Sequence, residues 1–284
     1  MGIGHDAAVN VTARAVWYIE SHLSGDLSLE AVASAVGVSR FHLSRAFGVT
    51  LGCGLALYVR ARRLSQAART LVDGAPDIVT VALDAGYSSH EAFTRAFRQH
   101  FGVTPDEVRE RAHAGGLGLQ EPFSMNDANT LTMAPPQIVR HDALLIFGIG
   151  QRYHQSNAGI PSQWDRFVPY LGSIEGQVDN VTYGVICNTD DAGSIEYICG
   201  VQVREFPAQP TEFARVRIPS QTYAVFQHKE HVASVNATWQ AIWNHGLSSA
   251  KLQATDGPAF ERYGPQFDGR TGLGGLEIWI PIKA

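Results

Sequence analysis

Arginine is the chemically active side chain that recurs at matching places early in this chain. Arg40 and Arg45 flank Phe41 and Ser44. Fifty residues on, Arg95 and Arg98 follow His90, Glu91 and Thr94. A guanidinium forks onto guanine O6 and N7, and a phenyl ring presses on a thymine methyl. Other arginines meet phosphates, which set register and salt dependence but not sequence. Arg40, Arg60, Arg62 and Arg98 suit phosphate, while Phe41, Ser44, Arg45, His90, Glu91, Thr94 and Arg95 are left to face base edges. A second grouping lies near the far end. Glu261 sits between Phe260 and Tyr263, and alternation over residues 276–280 puts Glu277 and Trp279 on one strand face. A carboxylate among aromatic rings is complementary to a cation, since ring faces add about 0.5–2 kcal/mol of attraction. Trp164, Tyr197, Trp239, Tyr263 and Trp279 are the candidate walls of such a site. His228 and His231 straddle a strand–helix junction, and Cys53, Cys187 and Cys199 are scattered, so no metal site, cofactor or disulfide framework is expected.

The arginines need helices to aim them. Two stretches share one layout: a short apolar-periodic helix, a glycine, a capping serine and a second helix. The first runs from Leu29 through Gly37 and Ser39 to Phe47, and the second from Ile78 through Gly86 and Ser88 to Phe97. This is the pattern of a helix-turn-helix, whose second helix enters the major groove. The glycines permit the tight turn at positive φ. Ser39 caps the first reading helix, and Ser88 with Glu91 fits a capping box in the second. Val36, Val38, Leu43 and Phe47 face the core in one unit; Ala85, Tyr87, Phe93 and Phe97 do so in the other. Helical spacing also marks residues 9–22 and 57–71, the latter joining the two units and ending at Asp73-Gly74-Ala75-Pro76. Residues 113–133 change to a Gly-, Pro- and Asn-rich linker. Beyond them, residues 143–151, 183–188, 195–203, 213–218, 223–228 and 276–282 read as strands, and 163–171 and 232–243 as helices.

The chain is therefore expected to be multidomain. An all-α tandem helix-turn-helix domain (residues 9–112) and a linker (113–133) precede an α+β domain (134–284) of two similar halves. The 284 residues suffice for two cores. No apolar run approaches a membrane span, and residues 1–10 lack a secretory profile, so a cytoplasmic protein with no membrane partner is expected. The formal charge is −5 overall. Residues 1–112 carry 11 Arg, no Lys and 11 acidic residues. That half is neutral and lacks the broad basic footprint of many DNA binders, so arginine placement must compensate for number.

Residues 9–112 resemble the DNA-binding domain of the AraC/XylS family of transcription regulators. The resemblance rests on Ala82-Leu83-Asp84-Ala85-Gly86-Tyr87-Ser88-Ser89, Phe93-Thr94-Arg95-Ala96-Phe97-Arg98, Phe101-Gly102-Val103-Thr104-Pro105 and the linking Tyr58-Val59-Arg60-Ala61-Arg62-Arg63-Leu64. It implies two reading helices in successive major grooves about 34 Å apart, with Phe41, Ser44 and Arg45, then His90, Glu91 and Arg95, at base-facing positions. Cys53-Gly54-Leu55-Ala56 departs from the family's Ser-Pro-like helix start. Residues 135–283 resemble the GyrI-like effector-binding domain, found in Rob-type regulators. The stretches that carry this are Tyr183-Gly184-Val185, Tyr197-Ile198-Cys199-Gly200-Val201, Tyr223-Ala224-Val225-Phe226-Gln227-His228, Gly257-Pro258-Ala259-Phe260-Glu261-Arg262-Tyr263 and Glu277-Ile278-Trp279-Ile280-Pro281-Ile282. The resemblance implies an aromatic-walled cleft with a buried acid, for which Glu261 is the first candidate and Glu277 the second.

The expected function is a ligand-responsive DNA-binding transcription regulator and not an enzyme. Its expected partners are double-stranded DNA and an amphipathic or cationic small molecule, with RNA polymerase a further candidate. Two other readings compete. Glu261 with Tyr263 could activate a water in a GyrI-like hydrolase. Alternatively, a constitutive DNA binder could offer Val201 and Val203 as a strand edge for another protein.

Overall fold

The computed structural model describes residues 10–74, 77–123, 133–154, 157–190 and 192–283. Val9 of the expected first helix, the Ala75-Pro76 stop and residues 124–132 of the expected linker lie outside them. An all-helical region, residues 11–111, precedes an α+β domain built on an eight-stranded antiparallel sheet. The helices are α1 (Val11–Ser21), α2 (Leu29–Val36), α3 (Arg40–Leu51), α4 (Leu55–Val72), α5 (Ile78–Asp84), α6 (His90–Phe101) and α7 (Pro105–Arg111). Contacts gather into two compact units that interleave along the chain. Among the described residues, one holds 13–37 and those from 55 to 123. The other holds 10–12, 38–54 and those from 133 on. Thus α3 belongs with the sheet.

The helical unit is closed by Leu64, Ala68 and Leu71 of α4 against Ile78, Val81 and Ala82 of α5 and Phe93 and Phe97 of α6. Gly86 turns the chain between α5 and α6 at φ 80°, a left-handed conformation that a side chain would strain. Ser89, not Ser88, caps α6: its hydroxyl accepts from the Ala92 amide at 3.1 Å. The expected cap was one residue early because two serines adjoin. Leu117 and Leu119 pack on the same core. The Ser65 hydroxyl accepts from the Gln120 amide at 2.9 Å. Residues 113–123, expected as linker, are therefore part of this unit.

The sheet unit adds β1 (Gln137–His141), β2 (Leu144–Tyr153), α8 (Ile160–Phe167), β3 (Gln177–Cys187), β4 (Ile195–Val203), β5 (Ala214–Ile218), β6 (Gln221–His228), α9 (Val235–Ala241), β7 (Ala259–Tyr263) and β8 (Leu276–Pro281). A π-turn, Ile242–Gly246, extends α9. The strand order is β1-β6-β8-β7-β3-β4-β2-β5. It is a palindrome of two strand–helix–strand–strand halves: β2-α8-β3-β4 and β6-α9-β7-β8 meet where β3 pairs with β7. The leading strands are exchanged, since β1 pairs with β6 and β5 with β2. Leu144, Ile218, Tyr223 and Trp279 belong to one apolar cluster that runs across the sheet. The opposite face carries α8, with Phe167 packed among Phe147, Tyr197 and Phe213, and α9. Val201 and Val203 lie in β4 between β3 and β2, fully buried. They are not an edge, which removes the basis for the strand-edge reading.

Candidate functional site

The seam between the two halves places the acid. Glu261 on β7 stands opposite Gly184 on β3. A Cβ at Gly184 would lie 2.1 Å from the Tyr197 hydroxyl and 2.7 Å from Glu261 Oε2, so the missing side chain is the space these groups fill. Glu261 is 5% exposed. Its Oε2 accepts from the Tyr197 and Tyr263 hydroxyls, both at 2.8 Å, and its Oε1 accepts from Trp239 Nε1 at 2.8 Å. Trp164 Nε1 donates to the Tyr197 oxygen at 3.1 Å, which commits the Tyr197 proton to Glu261. Burial, followed by the negative Glu261, pushes both phenols well above their ordinary value, so they stay neutral donors. A carboxylate offers about four acceptor sites. Three donors hold its orientation and leave one site on Oε1. Among the described residues no Lys, Arg or His forms an ion pair with Glu261.

This network borders a cavity of about 860 Å³. Its walls include Trp164 and Ile160 of α8, Trp239 and Val235 of α9, and Tyr263. Among the expected wall residues, Trp164, Tyr197, Trp239 and Tyr263 come together here with Glu261. Glu277 and Trp279 do not. They share a face, as alternation requires, but it is the other one: Trp279 pairs with Phe260 and Glu277 with Arg262, one residue out of phase with Glu261. Glu277 accepts there from Trp279 Nε1 at 3.0 Å and from Arg262 at 3.1 Å. Trp279 stacks on Phe260. Glu277, Arg262 and Trp279 thus form a polar network on that other face.

One wall was not legible as such. Ser44, Arg45, Gly48 and Val49 of α3 line the same cavity. Ser39 caps α3 as expected, accepting from the His42 amide at 3.1 Å. His42 Nε2 bonds the Trp243 carbonyl oxygen at 2.6 Å, and Phe41 meets the Trp243 ring edge-on. Gln240 donates to the Val49 carbonyl at 3.0 Å, and Asn244 to the Thr50 hydroxyl at 2.8 Å. Gly54 donates to the Ala192 carbonyl at 3.1 Å, where a Cβ would strike the Ala192 backbone. Arg45, expected to face bases, is 5% exposed and lies over the Phe41 ring. Phe41 and Ser44 are half-buried, and Arg40 is exposed.

Helix α6, expected to be the second reading helix, differs. On α6, Glu91, Arg95 and Arg98 are exposed, and His90 and Thr94 are half-buried. Arg95 and Arg98 form no ion pair among the described residues. Arg60 on α4 is exposed and donates to Gln99 at 3.3 Å. Arg62, expected at phosphate, points inward. It is 3% exposed and forks onto Glu20, with Nε to Oε1 at 2.8 Å and Nη2 to Oε2 at 2.7 Å, and it also donates to the Gln120 carbonyl. Tyr58 donates to Glu20 at 2.8 Å. Burial would raise the Glu20 pKa, but the bonds from Arg62 and Tyr58 outweigh it and hold it below the usual range. Arg62 therefore ties α1, α4 and the following segment together.

Among the described residues no cluster of His, Cys, Asp or Glu is placed to hold a metal, and no helix is long and apolar enough to cross a membrane.

Comparison with known proteins bears on both halves. Residues 134–283 match the GyrI-like small molecule binding domain, and residues 32–111 a helix-turn-helix domain. Transcriptional regulator Rob of Salmonella typhimurium is 26% identical over 94% of this chain and 96% of its own. The right origin-binding protein of Escherichia coli K12 is 26% identical over the same shares. Transcriptional regulator BrlR of Pseudomonas aeruginosa is 34% identical over 47% of this chain and 51% of its own.

Proposed function

Because the chain belongs to the GyrI-like family of small-molecule-binding domains and joins it to an AraC-type helix-turn-helix domain, we propose that it is a transcription regulator whose DNA reading is governed by a cationic, aromatic small molecule. DNA is the partner of the helix-turn-helix half and a small molecule that of the GyrI-like half. The observation that carries the ligand class is Glu261: a buried carboxylate, oriented by Tyr197, Tyr263 and Trp239, with no counter-ion among the described residues and one acceptor site open to an aromatic cavity. Charge and ring faces together favour a flat organic cation. A hydrolase would need Glu261 or Tyr263 to take a proton from water. Here Tyr263 donates its own proton to Glu261, which argues for a binding pocket.

On the DNA side, α6 offers His90, Glu91, Thr94, Arg95 and Arg98, with Arg60 placed for phosphate. In α3, Phe41 and Arg45 cannot pack against Trp243 and Ile186 and also enter a groove. We infer two states, with α3 seated or released. A ligand shifts such an equilibrium only through unequal affinity for the two. Because α3 completes the cavity wall, a bound ligand contacts it only in the seated state and so opposes DNA reading by α3. RNA polymerase remains a candidate partner of the DNA-bound form.

The test is calorimetric titration of the full chain with a cationic aromatic dye, rhodamine 123, in wild type and Glu261→Gln. A carboxylate that meets the cation should make the substitution weaken binding by about tenfold or more. Equal affinity in both proteins would remove Glu261 from the site.

A further inference from the structure

Two buried polar atoms on cavity-lining side chains have no hydrogen-bond partner among the described residues: Arg45 Nε on α3 and Thr189 Oγ1 just beyond β3. The remaining polar contact of Arg45 is weak, since Nη2 lies 3.5 Å from the Ile186 carbonyl, at the limit of a hydrogen bond. Arg45 forms no ion pair with any described carboxylate. It is the sole Lys or Arg among the described lining residues. Ile186 and Thr189 are three residues apart, so both groups sit at one end of β3, within about 10 Å of chain. A buried cation with a free donor is costly unless an acceptor meets it, and so is a buried hydroxyl with no partner. Burial presses Arg45 down to about 10, which leaves it charged at neutral pH.

We propose that this end of the cavity is a second subsite, for a carboxylate or similar oxyanion, held by Arg45 and Thr189. Building on the proposed reading of the cavity, the effector is then amphoteric: a cationic aromatic body at Glu261 and an anionic group at Arg45. An oxyanion on Arg45 also occupies the guanidinium expected to read a base in the first helix-turn-helix. Ligand and DNA therefore compete for one side chain.

Rhodamine 110 and its methyl ester, rhodamine 123, test this directly. They share the xanthene body and differ in a free carboxylate. Both are titrated by fluorescence anisotropy into the full chain as wild type, Arg45→Met, Thr189→Val and Glu261→Gln. Arg45→Met keeps the aliphatic stem that packs on Phe41, and its melting curve checks the fold. The expected result is that wild type binds rhodamine 110 about tenfold or more tighter than rhodamine 123. Arg45→Met should abolish that gap and leave rhodamine 123 within about threefold, and Thr189→Val should narrow it. Equal binding of the two dyes to wild type, or an equal loss of both in Arg45→Met while Glu261→Gln still weakens both, would overturn the subsite and leave the cavity reading standing. If neither dye responds to Glu261→Gln, the cavity reading itself fails and the subsite falls with it.

Discussion

Releasing α3 from its seat should tighten DNA binding. Two side-chain bonds from the α9 region hold it: Gln240 Nε2 to the Val49 carbonyl at 3.0 Å and Asn244 Nδ2 to the Thr50 hydroxyl at 2.8 Å. Neither Gln240 nor Asn244 is expected to touch DNA. At about 1 kcal/mol net for each bond, the double variant Gln240→Ala, Asn244→Ala removes about 2 kcal/mol from the seated state. That shifts the seating equilibrium about thirtyfold toward release. The apparent dissociation constant is the intrinsic one divided by the fraction of protein able to bind, so DNA affinity should rise by up to the same factor. The assay is fluorescence anisotropy at one fixed salt concentration, using a duplex selected with the wild-type protein. Circular dichroism checks that the fold is kept. Unchanged or weaker DNA binding in a folded double variant would refute the idea that seating opposes reading.

Other outcomes follow from the same geometry. Gly184→Ala puts a methyl 2.1 Å from the Tyr197 hydroxyl; it should cost about 1–3 kcal/mol of stability and weaken rhodamine 123, and an unchanged melting curve would show that the seam has room for a methyl. Arg62→Met leaves Glu20 without its partner and should destabilise the protein by up to about 3–5 kcal/mol with no change in the salt slope of DNA binding; a smaller salt slope would return Arg62 to the phosphate contacts. Glu20 is held below its ordinary value in the folded state, so its stabilisation is present above the unfolded carboxylate pKa and is lost as pH falls through the lowered one; urea melts across the acid range should fall more steeply for wild type than for Glu20→Gln. Arg95→Ala should lower specific DNA affinity by about 1–3 kcal/mol and relax preference at one base pair, and an unchanged footprint would exclude Arg95 as a reader.

Much of the architecture is written in local pattern. Gly86 and the cap at Ser39 announce helix ends through backbone chemistry that needs no tertiary context. Strand β7 was not read as a strand because Gly257-Pro258 precedes it and only five residues follow, too short a run for a period to show. β1 was missed for a similar reason: Arg140 and His141 dilute it. The site splits along the same line. Glu261 was a candidate as an acid beside Phe260 and Tyr263, and the resemblance to the GyrI-like domain put it ahead of Glu277. Phase misled for Glu277, since alternation fixes which residues share a face but not which face meets the helices. Arg62 stands four residues after Tyr58 and three before Ser65, both buried. That spacing puts it on the packed stripe of α4, a signal outweighed by its charge. The seating of α3 is a long-range contact and leaves little local trace. Gly54, where the chain departs from the AraC/XylS pattern, is the one residue that hinted at it: it lies against Ala192, and no side chain fits there.

The central claim is that α3 serves both the cavity and the DNA. Reciprocal linkage measures it most directly: rhodamine 123 affinity with and without saturating duplex, and duplex affinity with and without saturating dye, in one buffer. Coupling through one shared element must be equal in both directions. The expected result is that DNA weakens the dye and the dye weakens DNA by the same factor. Dye and DNA affinities that are indifferent to each other would contradict it.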